Sequence, residues 1–163
     1  MFPTKILLAS DGSSHSQLAA RVAASIATKT NSELYVAHVG FVPAMYRPEM
    51  RGYATHFEAL QQETQQVLDE EVRQIEAKGN SVARAHLRMG RSDAEVVELA
   101  EEVGAGMIVV GSRGLGGVGR TLMGSVSDSV VRHAHCPVLV MRHGSRSEGA
   151  NYSVDEQIES SSR

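Results

Sequence analysis

Short apolar runs alternate along the chain with longer stretches in which apolar positions recur every three or four residues. Residues 4 to 10 form the first run, bounded by Pro3 and the turn-forming Asp11-Gly12-Ser13. It is too short for a helix and predicts a buried strand. Leu18, Ala19, Val22, Ala23 and Ile26 then follow helical spacing, with Asn31 placed to end the helix. Residues 34 to 39 make the second strand. Residues 40 to 55 carry two prolines, two glycines, two methionines and two tyrosines without a clear period, so a mobile loop is expected. A long helix over residues 55 to 78 would turn Phe57, Leu60, Thr64, Val67, Leu68 and Ile75 toward the core, with Gly79 as its stop.

Residues 81 to 89 alternate, with Val82, Arg84, His86 and Arg88 on one face and Ala83, Ala85, Leu87 and Met89 on the other. Alternation of that kind suits a half-exposed strand at a sheet edge. Ser92 and Glu95 have capping-box spacing, Val96, Leu99, Ala100 and Val103 form a helical stripe, and Gly104 ends it. Met107-Ile108-Val109-Val110 is a fourth, buried strand. A helix from Ser125, capped with Asp128 and running to His135, would bury Val126, Val130 and Val131 before Pro137 opens the last strand. Five strands alternating with four helices predict an α/β domain: a doubly wound, mainly parallel sheet with helices on both faces.

Composition narrows the function classes. At 163 residues, 42% hydrophobic and 21% charged, the chain makes one domain of ordinary globular character. A net charge of -3 gives no electrostatic footprint for nucleic acid. With neither a long apolar segment nor a basic flank ahead of an apolar core at the N-terminus, neither a membrane span nor a signal peptide is expected, and the cytoplasm is the expected compartment. Cys136, the single cysteine, excludes an internal disulfide and reads as a small buried hydrophobe. Residues 143 to 163 hold six serines and four acidic residues with almost nothing apolar. Such a tail cannot offset its ordering entropy, so residues 1 to 142 form the domain and a disordered tail is expected beyond it.

The chemistry concentrates in residues 111 to 127, where six glycines follow the fourth strand. Glycines let the backbone turn sharply and leave amide N–H groups open to an anion, and a helix start nearby adds its partial positive end. Gly114-x-Gly116-x-x-Gly119 satisfies a dinucleotide fingerprint, but the next strand ends in Arg142 rather than in an acidic residue that would hold a ribose. Gly114-x-x-x-x-Gly119 followed by Arg120-Thr121 approaches a P-loop, yet places Arg where a compact ammonium must reach between phosphates. The third pattern, Gly111-x-x-Gly114, nine residues, then Gly124-Ser125, fits without a departure.

That third pattern resembles the nucleotide-binding signature of the universal stress protein family, in its ATP-binding, UspA-like branch. Lys5 to Ser13 is similar to the family's opening strand and acidic turn, His38-Val39 to the end of its second strand, Gly90 to the glycine after its third, and Cys136-Pro137-Val138-Leu139-Val140 to its closing strand. The resemblance implies strand order 3-2-1-4-5, with the winding reversal, where ligands bind in such sheets, between the first and fourth strands. Asp11 and Gly111 would then share one rim.

By resemblance, the ligand is ATP or a shorter adenine nucleotide (ADP or AMP), with or without Mg²⁺. Ala9, Asp11 and Val39 match positions around adenine and ribose, where a carboxylate accepts hydrogen bonds from ribose hydroxyls. Gly111, Ser112, Arg113, Gly114, Leu115, Gly116 and Gly117 would pass beneath ribose and phosphates, and Gly124 would allow close approach. Ser125, Val126 and Ser127 would offer amides or hydroxyls to phosphate oxygens. From the residues themselves, Arg113 and Arg120 could neutralise phosphate charge or point to water, and Met45 and Met50 could close over a base or act, like the other methionines, as gap fillers. The family also implies a homodimer through the last strand, with Val138, Val140 and Met141 as its apolar edge, and a protein partner that reads the nucleotide state. Two other readings compete. A slow ATPase or phosphotransferase would need a water-positioning group, for which the residues beside the cradle supply no convincing carboxylate pair. An interaction module would leave the crevice unused. Asp11 also has a plainer reading, as the cap of the first helix. His133 and His135, two apart, do not share a helix face, so a metal pair is not expected.

Overall fold

A computed structural model describes residues 4–113 and 123–142. In chain order the elements are β1 (Lys5–Ser10), α1 (Ser14–Thr30), β2 (Glu33–Phe41), α2 (Tyr53–Ala77), β3 (Arg84–Gly90), α3 (Ser92–Val103), β4 (Met107–Gly111), α4 (Ser125–His133) and β5 (Val138–Met141). The five strands form one sheet in the order β3-β2-β1-β4-β5. Every neighbouring pair is parallel, with Ala9 between Ala37 of β2 and Val110 of β4.

Alternation along the central strands divides the core into two layers. Ile6, Leu8, Leu34, Val36 and Val109 point to the side covered by α1 and α2. Leu7, Tyr35, Ala37, Ile108 and Val110 point to the other side, against Val96 and Leu99 of α3 and Val130 of α4. Right-handed crossovers place two helices on each face because the winding reverses once, after β3.

The elements depart from the sequence reading where local pattern meets tertiary packing. α1 buries Ala19, Ala20, Ala23, Ala24 and Ala27 against the sheet, whereas Leu18, Val22 and Ile26 are only half-buried. Alanines let the helix approach the strands closely, and the larger side chains flank that contact. Asn31 and Gly104 do end α1 and α3, at φ values of 53° and 66°. Ser92 is the first residue of α3 rather than its cap, because Glu95 turns onto Gly90 and toward Arg88 instead of reaching back. α4 stops at His133, with Val126 and Val131 respectively 40% and 44% exposed. Only Val130 of the three expected valines is buried; Ser127, one turn before it, shares its inward face.

Candidate functional site

At the carboxyl ends of β1 and β4, where the winding reverses, the strands part and leave a crevice of about 720 Å³. Ala9, Asp11, Val39, Gly111, Arg113, Gly124, Ser125, Val126 and Ser127 line it, so nine of the residues singled out in the sequence converge there. Gly114, Leu115, Gly116, Gly117 and Arg120 lie outside the described residues, as does the tail from residue 143. Met45 and Met50, on the segment between β2 and α2, are 81% and 52% exposed and do not line the crevice.

One wall is the turn from β1 into α1. Asp11 Oδ1 accepts from the Ser13 amide at 3.0 Å, and Ser13 Oγ accepts in turn from the Ser16 amide at 3.2 Å. Ser13, not Asp11, is therefore the cap of α1. Asp11 braces the turn one step earlier, which holds its carboxylate at the rim. Gly12 at φ +76° provides the left-handed geometry that the turn requires. His38 Nδ1 donates to the Ser10 carbonyl at 2.6 Å, which fixes this buried histidine against the turn at the edge of the crevice.

The opposite wall is the exit of β4 and the start of α4. Gly111 packs directly on α1: a Cβ there would lie 2.9 Å from the His15 carbonyl carbon. Ser112 is buried behind the wall; its amide donates to the Met141 carbonyl at 2.7 Å, and its own carbonyl accepts from the Gly124 amide at 2.7 Å. The Arg113 carbonyl accepts from Ser13 Oγ at 3.4 Å, which ties the two walls together.

Gly124 is the cap of α4, and having no side chain it offers no side-chain acceptor to the first amides of the helix. The Ser125–Asp128 capping box expected from spacing is absent, because Gly124 is drawn onto Ser112 and the helix begins at Ser125 itself, one residue earlier than the box requires. Ser127 does the stitching instead, donating toward the Ser112 and Gly124 carbonyls at 3.1 and 3.0 Å. Farther along, Ser129 Oγ donates to Asp93 of α3 at 2.7 Å. The Arg91 guanidinium, helped by that hydroxyl, holds the Asp93 carboxyl down to about 2. α4 is thereby locked against α3 with its amide end aimed at the crevice.

Glu71 was not singled out from the sequence. It lies on α2, 7% exposed, on the same helical face as Thr64, Leu68 and Ile75. The signal was its register: the sequence stripe through Thr64, Leu68 and Ile75 passes through position 71. Among the described residues no cluster of three His, Cys, Asp or Glu side chains is arranged to hold a metal, and no helix is long and apolar enough to cross a membrane.

The model of the Universal stress protein family matches residues 3–142 of this chain. Universal stress protein MJ0531 of Methanocaldococcus jannaschii is 36% identical over 139 residues, which cover 85% of this chain and 81% of that protein. Among solved structures, a universal stress protein in complex with cAMP is 28% identical, with a TM-score of 0.62 over 86% of this chain and 98% of that one. The universal stress protein from Archaeoglobus fulgidus in complex with dAMP is also 28% identical, with a TM-score of 0.60 over 85% of this chain and 97% of its own. Matched by the family's model from the first strand through the last, the chain belongs to the universal stress protein family.

Proposed function

We propose that the protein binds an adenine nucleotide, ATP or its shorter relatives, in the crevice between β1 and β4, and that occupancy regulates its interactions. The observation that carries this reading is the pairing of unlike walls. Asp11 offers an acceptor where ribose hydroxyls would sit, and the start of α4 offers donors where phosphates would sit. The size of the crevice, about 720 Å³, falls in the usual range for small-molecule sites. Gly124 keeps the phosphate end narrow in side chain: a Cβ there would already lie 3.1 Å from the Ser112 carbonyl oxygen. Ala9 and Val39 would flank adenine, Gly111 and Arg113 the ribose and phosphates, and Ser125, Val126 and Ser127 the phosphate oxygens. Mg²⁺, where present, would arrive with the nucleotide. Two family members solved with cAMP and dAMP support an adenine ligand of this class.

A homodimer through β5 belongs to the same reading. β5 is an edge strand, and Val138, Leu139, Val140 and Met141 are all half-exposed along it. Pairing with a second copy would cover that apolar edge. Sedimentation at micromolar concentration should give a dimer, and a monomer would remove this part.

Calorimetric titration of the folded protein with ATP and with AMP tests the central claim. Saturable binding of either, weakened at least about tenfold by Asp11→Ala, is expected from the loss of charge-assisted hydrogen bonds to the ribose. No heat with either nucleotide would defeat it.

A further inference from the structure

α2 carries a carboxyl group that the described part of the molecule leaves unpaired. Both Oε atoms of Glu71 are closed off from solvent and have no hydrogen-bond partner there. Burial pushes the carboxyl up to about 7, and the neighbouring negative charge of Asp11 pushes the same way. The Ser10 hydroxyl is near enough to oppose part of that shift without closing a hydrogen bond of normal geometry.

The position of this group connects it to the crevice. Thr64 and Val67, on the same helix, line the crevice. A Cβ on Gly12 would lie 3.2 Å from Val67 Cγ1, so α2 packs directly on the turn that presents Asp11. Ser10 stands between the two sites, lining the crevice while its hydroxyl neighbours Glu71. Other charged and titratable groups surround this corner: Arg21 and Lys29 from α1 and Lys78 from α2 share a groove with Glu71, and His38 from β2 bonds the Ser10 carbonyl. Glu63 of α2 lies on the crevice itself.

We propose that Glu71 is a proton-linked positioning residue for the nucleotide crevice: neutral, it admits an anionic ligand beside Asp11, and ionised, it opposes one. This rests on the adenine-nucleotide reading. A second negative charge in a poorly solvated place behind Asp11 repels the phosphates that enter the crevice. Binding of nucleotide therefore favours the protonated carboxyl and takes up a proton. Affinity falls as pH rises through the neutral range, and the fall is steeper for AMP than for uncharged adenosine.

Calorimetry of the full chain with AMP at pH 6 and pH 8, beside Glu71→Gln, tests this. Gln has the shape of the neutral acid, and the difference between the two proteins cancels the titration of AMP itself. The wild-type protein should lose several-fold more affinity than E71Q between the two pH values, because it gains a negative charge over that interval and E71Q does not. It should also take up a fraction of a proton more than E71Q at pH 7, read from two buffers of different ionisation heat. Identical pH profiles and proton uptake in the two proteins would overturn the inference and leave nucleotide binding standing. Absence of AMP and ATP binding by both proteins would overturn the nucleotide reading and the inference with it. Should E71Q not fold, the ¹³C carboxyl shift of Glu71 in the wild-type protein, titrated with and without AMP, decides. A midpoint raised by AMP supports the coupling, and an unmoved midpoint overturns it.

Discussion

α1 and α4 both begin at the crevice, each just after a central strand, yet their first turns are finished differently. α1 is closed by its own side chains: Ser13 Oγ accepts from the Ser16 amide, and Ser16 Oγ donates back to the Ser13 carbonyl at 2.8 Å. α4 begins at Gly124, which has no side chain to accept from the first amides of the helix. A helix start has more amide donors than partners, so capping spends at one end what the other leaves available to an anion. The closed start also carries Asp11, an acceptor. The two walls thus differ in polarity as a nucleotide does, with hydroxyl donors on its sugar and acceptor oxygens on its phosphates.

The largest expected effect sits behind the closed start, at Glu71. A carboxyl raised from its ordinary 4.5 to about 7 holds its proton more tightly in the native than in the unfolded chain. Below about pH 4.5 both states are protonated and the group costs nothing. As pH rises, the unfolded chain ionises first; stability falls until the native carboxyl also ionises, and the loss is complete once pH passes about 7. Urea denaturation of wild-type and Glu71→Gln protein at pH 4 and pH 8 should show the variant gaining about 3 kcal/mol relative to wild type across that interval. A constant difference would mean that Glu71 is solvated, and the closed wall would lose its distinguishing electrostatics.

Glycine substitutions compare the two helix starts as packing surfaces. A Cβ at Gly111 would meet backbone of α1 at 2.9 to 3.0 Å, from the His15 carbonyl carbon to the Ser16 amide nitrogen. Neither atom can move without shifting the helix start. At Gly124 the tightest approach is 3.1 Å, to the Ser112 carbonyl oxygen, followed by 3.4 Å to Arg113 Cα. Gly111→Ala should cost about 2 to 3 kcal/mol of unfolding free energy, and Gly124→Ala roughly half that. Chemical denaturation checks the order. Equal costs would show that the open start is built as tightly as the closed one.

The fold was legible because its signals are local and agree. Short apolar runs, the stops at Asn31 and Gly104, and the stripe of α3 each specify an element without reference to the others. Asp11 and Gly111 were legible as neighbours because the family resemblance supplied the strand order, and parallel strands then put both residues at carboxyl ends of adjacent strands. The capping boxes were not, since a Ser followed three residues later by an acid states only what those side chains can do. Contacts outside the boxes redirected them: Gly90 and Arg88 take Glu95, and Ser112 takes Gly124. Glu71 escaped notice because α2 is crowded with acids, among them Glu63, Asp69, Glu70 and Glu76, that face water. Only packing of the helix on the sheet separates the one buried carboxyl from its solvated neighbours.

Serine substitutions give the smallest effects and divide the two starts most sharply. Ser13→Ala removes the acceptor for the Ser16 amide together with the bond to the Arg113 carbonyl, so it should cost about 1 kcal/mol, a typical loss for a side-chain cap. Ser125→Ala removes no cap, because Ser125 is the first residue of α4 and is exposed. Its stability should stay within about 0.5 kcal/mol of wild type, and alanine's helix propensity acts in its favour. If the open start serves phosphate, Ser125→Ala should nevertheless weaken AMP binding several-fold, since a hydroxyl beside the amide end is lost where the anion sits. Thermal denaturation and calorimetry on the same samples separate the two roles. A variant that loses stability but keeps its affinity would make Ser125 a cap after all and erase the contrast between the helices.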